Sequence, residues 1–453
     1  MKFGAVMLVN CLGNTEVSLS MRLNFSAIFY ADTCTRPLVY NLCNDINIIN
    51  NNFMNTEKTN LSSLRRGVVG VQFLFVAFGA TVLVPLLVGL DPSTALFTAG
   101  IGTLIFHLVT KGKVPIFLGS SFAFIAPIIK STELYGLAGT LSGMAGVALV
   151  YFIMSALVKW QGNRLIDRLF PSVVVGPVII LIGISLAGSA VDMAETNWLL
   201  ALISLFTAIL VSIKAKGLFK LIPIFSGIVA GYIVALIFYD VDLTPVRDAA
   251  WIGLPQFVTP AFSWEAILFM IPVAIAPVIE HIGDVYVVNT VTGKDFVKDP
   301  GLHRTMFGDG LACCIAGLLG GPPVTTYSEV TGAMSITKVT DPKVIRIAAI
   351  TAIVFSLIGK ISALLKTIPQ AVLGGLMLLL FGTIATAGVA NMLKNKVDLS
   401  NTRNIIIFSM TMTLGIGGAA FTWGEFSLSG IGLAAIVGVV LNLVLPHDKS
   451  LDN

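Results

Sequence analysis

Two short apolar segments, residues 114–127 and residues 320–332, read VPIFLGSSFAFIAP and GGPPVTTYSEVTG. Each one places Gly, Pro and small hydroxyl residues inside an otherwise apolar stretch. Broken membrane helices at corresponding places in two halves of a chain are typical of secondary transporters, where they form a binding site near the bilayer midplane. Non-helical backbone is tolerated at that depth only where it lines a cavity or is buried in protein. The two segments therefore predict a ligand site inside a duplicated membrane protein.

The composition of the whole chain agrees with a membrane protein. Of its 453 residues, 56% are hydrophobic and only 11% are charged, whereas a soluble domain carries about 25% charged residues. The net charge is +4 and the basic residues are dispersed, so no nucleic acid partner is expected. The five cysteines have neither CxxC nor zinc-ligand spacing, so neither a disulfide nor a metal site is expected.

Fourteen apolar runs follow Arg65, and they predict an all-α integral membrane protein with fourteen transmembrane spans. The runs cover residues 66–89, 93–110, 114–130, 137–159, 170–191, 197–214, 218–239, 264–290, 303–320, 323–337, 343–364, 368–392, 402–421 and 426–446. An odd-numbered half that is duplicated must insert its second copy upside down. Seven plus seven spans therefore predict two inverted repeats, in which the quoted segments are the third span of each half.

The placement of Lys and Arg predicts the orientation of these spans. With the N-terminus inside, the outer loops keep only Lys130, Arg247, Lys360 and Lys366, and the remaining basic residues after Leu64 fall on the cytoplasmic side. We therefore predict a multi-pass protein of the cytoplasmic membrane with both termini in the cytoplasm. Residues 1–60 are rich in Asn and lack helical periodicity. They are interpreted either as a disordered cytoplasmic extension or as sequence upstream of a start at Met54, and no function is expected there.

Glu280, Asp284 and Glu329 are three carboxylates within the predicted spans, where charges are costly and usually functional. Glu280 and Asp284 are four residues apart and share one helix face, with Gly283 leaving room beside them. Two such carboxylates repel each other in a low dielectric, which favours the uptake of a proton. Glu329 lies on the second broken segment, where it can accept N–H bonds from a polar heterocycle or take a proton. A buried network that only ties helices together is the alternative interpretation of all three.

Other polar residues in the spans are interpreted as packing contacts. His281 is turned about 100° from Glu280 on a helix, so we expect it to face neighbouring helices. His107 and Asp309 are likewise expected to make buried contacts between helices. Phe122 stands beside a chain break, where an aromatic ring offers a stacking surface for a flat ligand.

The chain from about Leu64 to Pro446 resembles the nucleobase–ascorbate transporter family, and within it the uracil-transporting members. The matching stretches are FGATVLVP at 78–85, LGSSFAFI at 118–125, EHIG at 280–283, DPGLHR at 299–304 and TTYSE at 325–329. The chain differs from the family at three places. Phe73 follows Gln72 where the family has Gln-His, Asp284 stands where the best-known uracil carriers have His, and Val330 replaces an Asn.

This resemblance implies a domain arrangement and a binding site. The core domain would consist of residues 64–160 and 263–366, and the gate domain of residues 165–262 and 367–447. Short antiparallel strands in spans three and ten would hold the ligand. Glu280 and Glu329 would bind the polar edge of a pyrimidine, backbone groups at Phe122 and Ser328 would bind its carbonyl oxygens, and Phe122 and Tyr327 would pack nearby. The supporting residues would be Ser121, Ala123, Gln72 and Thr326.

The function that follows is proton-coupled import of uracil by alternating access of core against gate, with Asp284 or Glu280 carrying the proton. No cofactor other than the coupling ion H⁺ is expected, and the family suggests a homodimer through the gate domains. A xanthine or urate carrier of the same family is the alternative. A channel-like anion transporter is disfavoured by three carboxylates and by the absence of a buried Lys or Arg in spans three, eight and ten that could hold an anion. A membrane hydrolase is disfavoured because the sequence lacks a recognisable hydrolase motif.

Overall fold

The structure, a computed structural model, describes residues 63–162, 168–216, 219–220, 222–423 and 426–446. Contacts divide the chain into two units, Met1–Leu64 and Arg65–Asn453. Only Ser63 and Leu64 of the first unit are among the described residues. The prediction for residues 1–60 therefore lies outside the described residues.

The described chain is mostly helical and contains two pairs of short strands. The helices are α1 (Ser63–Val88), α2 (Pro92–Val109), α3 (Ile125–Gln161), α4 (Ser172–Ser185), α5 (Ala187–Glu195), α6 (Trp198–Lys214), α7 (Pro223–Phe238), α8 (Thr244–Asp248), α9 (Trp264–Met270), α10 (Ile275–Thr292), α11 (Leu302–Leu318), α12 (Ser328–Thr337), α13 (Pro342–Ser356), α14 (Gly359–Lys366), α15 (Gln370–Lys394), α16 (Thr402–Ile416) and α17 (Gly430–Val444). The strands are β1 (Leu118–Ser120), β2 (Val324–Thr326), β3 (Ala420–Trp423) and β4 (Phe426–Ser429). β1 pairs with β2 and β3 with β4, both antiparallel.

Several helices are long and apolar enough to cross a membrane. Among the described residues there are 6 such helical segments, or 7 if the bent pair α13–α14 counts as one span. The shorter apolar helices α6, α7 and α17 add further hydrophobic length. The chain is therefore a multi-pass membrane protein, and the count of fourteen spans stays a prediction.

Local sequence signals determine where some helices begin. α2 and α13 both start with an Asp–Pro pair, Asp91-Pro92 and Asp341-Pro342. Each Asp accepts a hydrogen bond from the backbone N–H two residues later, at 3.2 Å for Asp91 and 2.9 Å for Asp341. Proline is favoured in the first turn because its missing N–H has no intrahelical acceptor there. These two helices pack against each other.

The structure differs from the predicted spans where helices bend or stop. α3 covers the end of the third predicted span and all of the fourth, with a break at Gly136, whose φ of 69° is outside the helical range. α13 and α14 meet at an angle of 80°. Residues 402–421 were expected to be one helix, but α16 ends at Ile416 and the β3–β4 hairpin follows. Gly418 adopts a φ of 64°, which stops the helix, and the aromatic and β-branched residues after it favour a strand.

The helices pack in two groups. In the first group, α11 lies against α2 and α3, α13 lies against α2, and α9 lies against α3. In the second group, α15 lies against α4, α5 and α6, α7 lies against α6, and α16 lies against α4 and α17. Close approach of α11 to α3 depends on small residues, since Gly317 lies directly against the backbone of Ala145. α10 contacts both groups, because it packs against α11, α4 and α17.

Candidate functional site

The two interrupted segments meet as an antiparallel strand pair. Leu118 lies opposite Thr326 and Ser120 lies opposite Val324, and all six strand residues are buried. The ladder continues beyond both ends of the strands. The Ser121 N–H donates to the Pro323 oxygen at 2.9 Å and the Tyr327 N–H donates to the Phe117 oxygen at 3.1 Å. Segments about 200 residues apart in the chain are thus joined through their backbones.

Side chains from the surrounding helices satisfy the outer edges of this strand pair. Thr103 of α2 accepts a hydrogen bond from the Leu118 N–H at 2.9 Å, and its hydroxyl lies 3.3 Å from the Leu118 oxygen. On the other edge, the Cys313 thiol of α11 donates to the Val324 oxygen at 2.9 Å. Unpaired backbone groups cost several kcal/mol away from water. These side chains therefore replace the hydrogen-bond partners that the outer backbone groups of a two-stranded sheet would otherwise lack.

The Tyr327 side chain connects the two strands through a hydrogen bond. Its hydroxyl donates to the Ser120 oxygen at 2.8 Å, and the side chain is only 3% exposed. Its ring lies over Gly119, where an added Cβ would be 2.6 Å from the Tyr327 Cε2 atom and 2.8 Å from the Thr81 hydroxyl oxygen. The hydroxyl of Tyr327 is therefore used within the protein.

Substitution Gly119→Ala is expected to lower the melting temperature, because the Tyr327 ring has to move away from the strand. Overpacking of this kind costs about 1–3 kcal/mol. The measurement is thermal unfolding of the purified protein in detergent. Gly332→Ala in α12 is the control, since a Cβ there meets no atom within 4 Å and Ala favours a helix. Equal melting temperatures for the two variants would contradict the close packing at Gly119.

A helix begins directly after each strand. A short 3₁₀ turn, Phe122–Phe124, leads from β1 into α3, and α12 begins at Ser328 after β2. The first N–H groups of a helix lack intrahelical acceptors, and this end carries a partial positive charge. Two helix N-termini therefore start at the same strand pair. Ser328 is exposed, whereas the Phe122 ring is 9% exposed and lies edge-on to Phe381 of α15 at 6.2 Å between ring centroids.

The carboxylates predicted from sequence lie beside these strands. α10, which carries Glu280 and Asp284, packs against both β2 and α12, and Glu329 is in the first turn of α12. Asp284 is buried and accepts a hydrogen bond from the Thr326 hydroxyl of β2 at 2.5 Å. Glu280 and Glu329 are half-buried, and the charges of Asp284 and Glu329 both act on Glu280. Three acidic side chains and Thr326 thus form one cluster.

A second polar cluster lies behind the first. His281 is fully buried, with Nδ1 at 2.9 Å from Asp309 Oδ2 and Nε2 at 2.9 Å from the Thr305 hydroxyl oxygen, both on α11. His107 of α2 is also buried, with Nε2 at 3.1 Å from the Ile116 oxygen. The prediction of buried contacts between helices is confirmed for His281 and Asp309. His107 is buried as expected, but its partner is the Ile116 backbone in the segment that leads to β1. The His281–Asp309 contact fixes the rotation of α10 and therefore the face on which Glu280 lies.

The remaining predicted residues occupy different positions around the strands. Ser121 and Ala123 are buried at the turn after β1. Gln72 is half-buried on α1, and among the described residues neither atom of its amide group has a hydrogen-bond partner. Thr103 and Cys313 were not identified from the sequence. A lone Thr or Cys in an apolar helix carries no signal until its neighbour in the fold is known. Among the described residues, no group of three or more His, Cys, Asp or Glu side chains is placed so that it could hold a metal ion.

This arrangement defines a class of protein. Interrupted helices whose N-termini meet at a buried strand pair, with ionisable side chains beside them, form the binding centre of secondary transporters. The family model described as "Permease family" matches residues 66–423. The chain therefore belongs to this family of permeases, and it is a membrane transporter, not an enzyme.

Curated relatives align with most of the chain. A protein of Haemophilus influenzae described as a probable uracil permease is 51% identical over 400 residues, which cover 86% of this chain and 97% of that protein. The uracil permease of Bacillus subtilis is 44% identical over 400 residues, covering 84% of this chain and 92% of the relative. The uracil permease of Escherichia coli K12 is 39% identical over 387 residues, covering 83% and 90%.

Solved structures of other transporters share the fold. The transmembrane domain of the cyanobacterial bicarbonate transporter BicA has a TM-score of 0.61 and 16% identity, covering 85% of this chain and 98% of that one. The structure of SLC26A9 has a TM-score of 0.65 and 12% identity, covering 84% and 64%. These likenesses establish the fold alone.

Proposed function

We propose that the protein imports uracil together with a proton across the cytoplasmic membrane. The observation that carries this proposal is the cluster of Glu280, Asp284 and Glu329 beside the paired strands β1 and β2. The curated relatives named as uracil permeases support uracil as the substrate.

The polar groups around the strands match the chemistry of a pyrimidine. Uracil has two ring N–H donors and two carbonyl acceptors on a flat ring. The carboxylates of Glu280 and Glu329 accept the N–H bonds, and charged acceptors make stronger hydrogen bonds than neutral ones. Backbone N–H groups at the starts of the two helices, near Phe122 and Ser328, donate to the carbonyl oxygens. The ring of Phe122 packs against the flat face of the substrate.

Transport proceeds by alternating access in a fold of fourteen spans and two inverted repeats. Residues 64–160 and 263–366 form a core that carries the strand pair, and residues 165–262 and 367–447 form a gate. The two packing groups of helices support this division. Phe122 of the core contacts Phe381 of the gate, so the site lies beside the surface along which core and gate move. Both termini are cytoplasmic, and a homodimer through the gate domains stays a prediction.

The proton binds at Asp284 or Glu280 and moves with the substrate. Carrying net negative charge across the low-dielectric centre of a membrane is costly, and a proton on one carboxylate reduces that charge. If substrate binds more tightly to the protonated form, then the proton must also bind more tightly to the substrate-loaded form. This reciprocity couples the two fluxes. No bound cofactor is required.

Uptake of labelled uracil into a strain that lacks its own uracil permease tests this proposal. We expect saturable uptake that a protonophore abolishes and that unlabelled uracil competes away. Unlabelled xanthine and urate should compete weakly. If unlabelled purines compete and unlabelled uracil does not, the protein belongs with the purine carriers. If the protonophore leaves uptake unchanged, proton coupling is rejected.

A further inference from the structure

A cavity separate from the strand pair lies between α3 and α11, where α3 ends and α11 begins. Its volume is about 480 Å³. One part of its wall is apolar and the other is basic. The residues that matter are Phe152, Ala156 and Phe307 on the apolar part and Lys159, His303 and Arg304 on the basic part.

Along both helices, apolar residues give way to basic residues, which is the order expected where the hydrocarbon core of a bilayer meets the headgroups. On α3, Phe152, Ala156 and Lys159 follow at helical spacing and share one face. Phe152 packs on Phe307 of α11, with ring centroids 4.9 Å apart. Trp160, next to Lys159, is 81% exposed, and exposed Trp residues concentrate at membrane–water interfaces. Along α3 the cavity wall therefore changes from apolar at Phe152 to basic at Lys159 over about two helical turns, as expected at the level of lipid headgroups.

The positive charge at this cavity is not balanced by protein groups. Among the described residues, no carboxylate lies within ion-pair distance of Lys159 or Arg304. Their charges both act on His303. The charge of Arg304 acts on Asp299, but Asp299 already pairs with Lys113 at 2.7 Å. That hydrogen bond holds the pKa of Asp299 below its usual value. The cavity thus keeps an excess of positive charge.

The start of α11 adds to this excess. His303 and Arg304 lie in its first turn, although acidic residues are favoured there because a helix N-terminus is itself partly positive. Gly301 is the N-cap residue and supplies no side-chain cap. The Ser155 hydroxyl donates to the His303 oxygen at 2.6 Å and fixes this turn to α3. Basic side chains held at a positive helix end are stabilised by a bound anion.

We propose that this cavity binds one anionic phospholipid. The headgroup phosphate lies against Lys159, His303 and Arg304, and an acyl chain lies along Phe152 and Phe307. Basic pockets between membrane helices are suited to anionic headgroups, and the apolar wall distinguishes a lipid from a free anion. The site does not depend on the identity of the transported substrate.

Native mass spectrometry of the detergent-purified protein with phosphatidylglycerol tests the proposal. The double substitution Lys159→Gln and Arg304→Gln is expected to weaken binding of one phosphatidylglycerol molecule about 25-fold, from about a fivefold loss per basic residue. Binding of phosphatidylcholine should not change. Substitution of Lys394 and Lys396 by Gln makes the same charge change at exposed positions and should leave phosphatidylglycerol binding intact.

Three outcomes would overturn the proposal. The first is equal phosphatidylglycerol binding by the double variant and the native protein. The second is an equal loss in the Lys394 and Lys396 control, which would show that only net charge matters. The third is displacement of the lipid by millimolar inorganic phosphate, which would show a free anion site. If the double variant does not fold, the pair Lys159→Arg and Arg304→Lys keeps both charges and is expected to retain binding, and its failure to bind would contradict the proposal.

Discussion

Substitution Glu329→Gln is expected to raise the KM for uracil uptake about ten- to hundredfold. Gln has the same shape as Glu, so the first turn of α12 keeps its packing. Its amide offers one acceptor oxygen and one NH₂ group, and the NH₂ group cannot accept a bond from a ring N–H. Loss of a hydrogen bond to a charged group costs about 1.5–3 kcal/mol, and each 1.4 kcal/mol corresponds to about a tenfold change in affinity.

The measurement is the initial rate of labelled uracil uptake as a function of uracil concentration. Glu133→Gln is the matched control, because it makes the same chemical change on an exposed side chain that pairs with Lys130 at 2.9 Å. Exposed ion pairs contribute little to stability, so this control should keep the native KM. A native KM for Glu329→Gln would mean that Glu329 belongs to a structural network and does not contact the substrate.

The sequence was sufficient to find the two interrupted segments and the neighbouring carboxylates, because their signals are local. Gly and Pro in residues 114–127 and 320–332 interrupt apolar runs, and the structure has strands and new helix starts within both segments. The spacing of Glu280 and Asp284 places them on one helix face, and both act within one charge cluster. Each of these features is decided within a few residues of chain.

The contacts that hold the site could not be found in the same way. The Thr103 hydroxyl accepts a hydrogen bond from a strand residue 15 positions later in the chain. Asp309 contacts His281, which lies 28 positions earlier. Tyr327 donates its hydroxyl hydrogen bond to the Ser120 oxygen, 207 residues earlier in the chain. Such partners depend on how the helices approach each other. A side chain that bonds a distant backbone atom has the same local sequence as one that faces a ligand.

The β3–β4 hairpin shows a further limit of hydropathy. Residues 420–429 adjoin apolar runs on both sides, so counting apolar runs assigns residues 420–421 to the thirteenth span and residues 426–429 to the fourteenth. What decides their structure is the backbone at Gly418 and the cross-strand pairing of Ala420 with Ser429. Hydropathy alone does not distinguish a short strand from a helix.

Substitution Asp284→Asn is expected to abolish uphill accumulation of uracil while leaving slow, downhill exchange. The Asp284 carboxylate accepts the hydroxyl of Thr326 on β2 at 2.5 Å, so under the proposed function a proton on Asp284 lies next to this strand. An Asn oxygen can still accept this bond, which preserves the local geometry. Asn cannot gain or lose a proton, and without that change the proton gradient cannot drive the substrate.

Vesicles containing the purified protein, with an imposed pH gradient, provide the measurement. Native protein should accumulate labelled uracil above the outside concentration, and Asp284→Asn should only equilibrate it. Exchange of labelled against unlabelled uracil without a gradient verifies that the variant still binds and moves substrate.

Asp309→Asn separates a proton carrier from a buried structural carboxylate. Asp309 is even more deeply buried than Asp284, and its partner is His281 and not a residue of the strand pair. Loss of this pair is expected to lower the melting temperature, because one partner of a buried polar pair is left poorly satisfied. The folded fraction should still accumulate uracil in response to the gradient. Continued uphill accumulation by Asp284→Asn would exclude Asp284 as the proton site, and Glu280, half-buried one helical turn earlier, would then be the carboxylate that carries the proton.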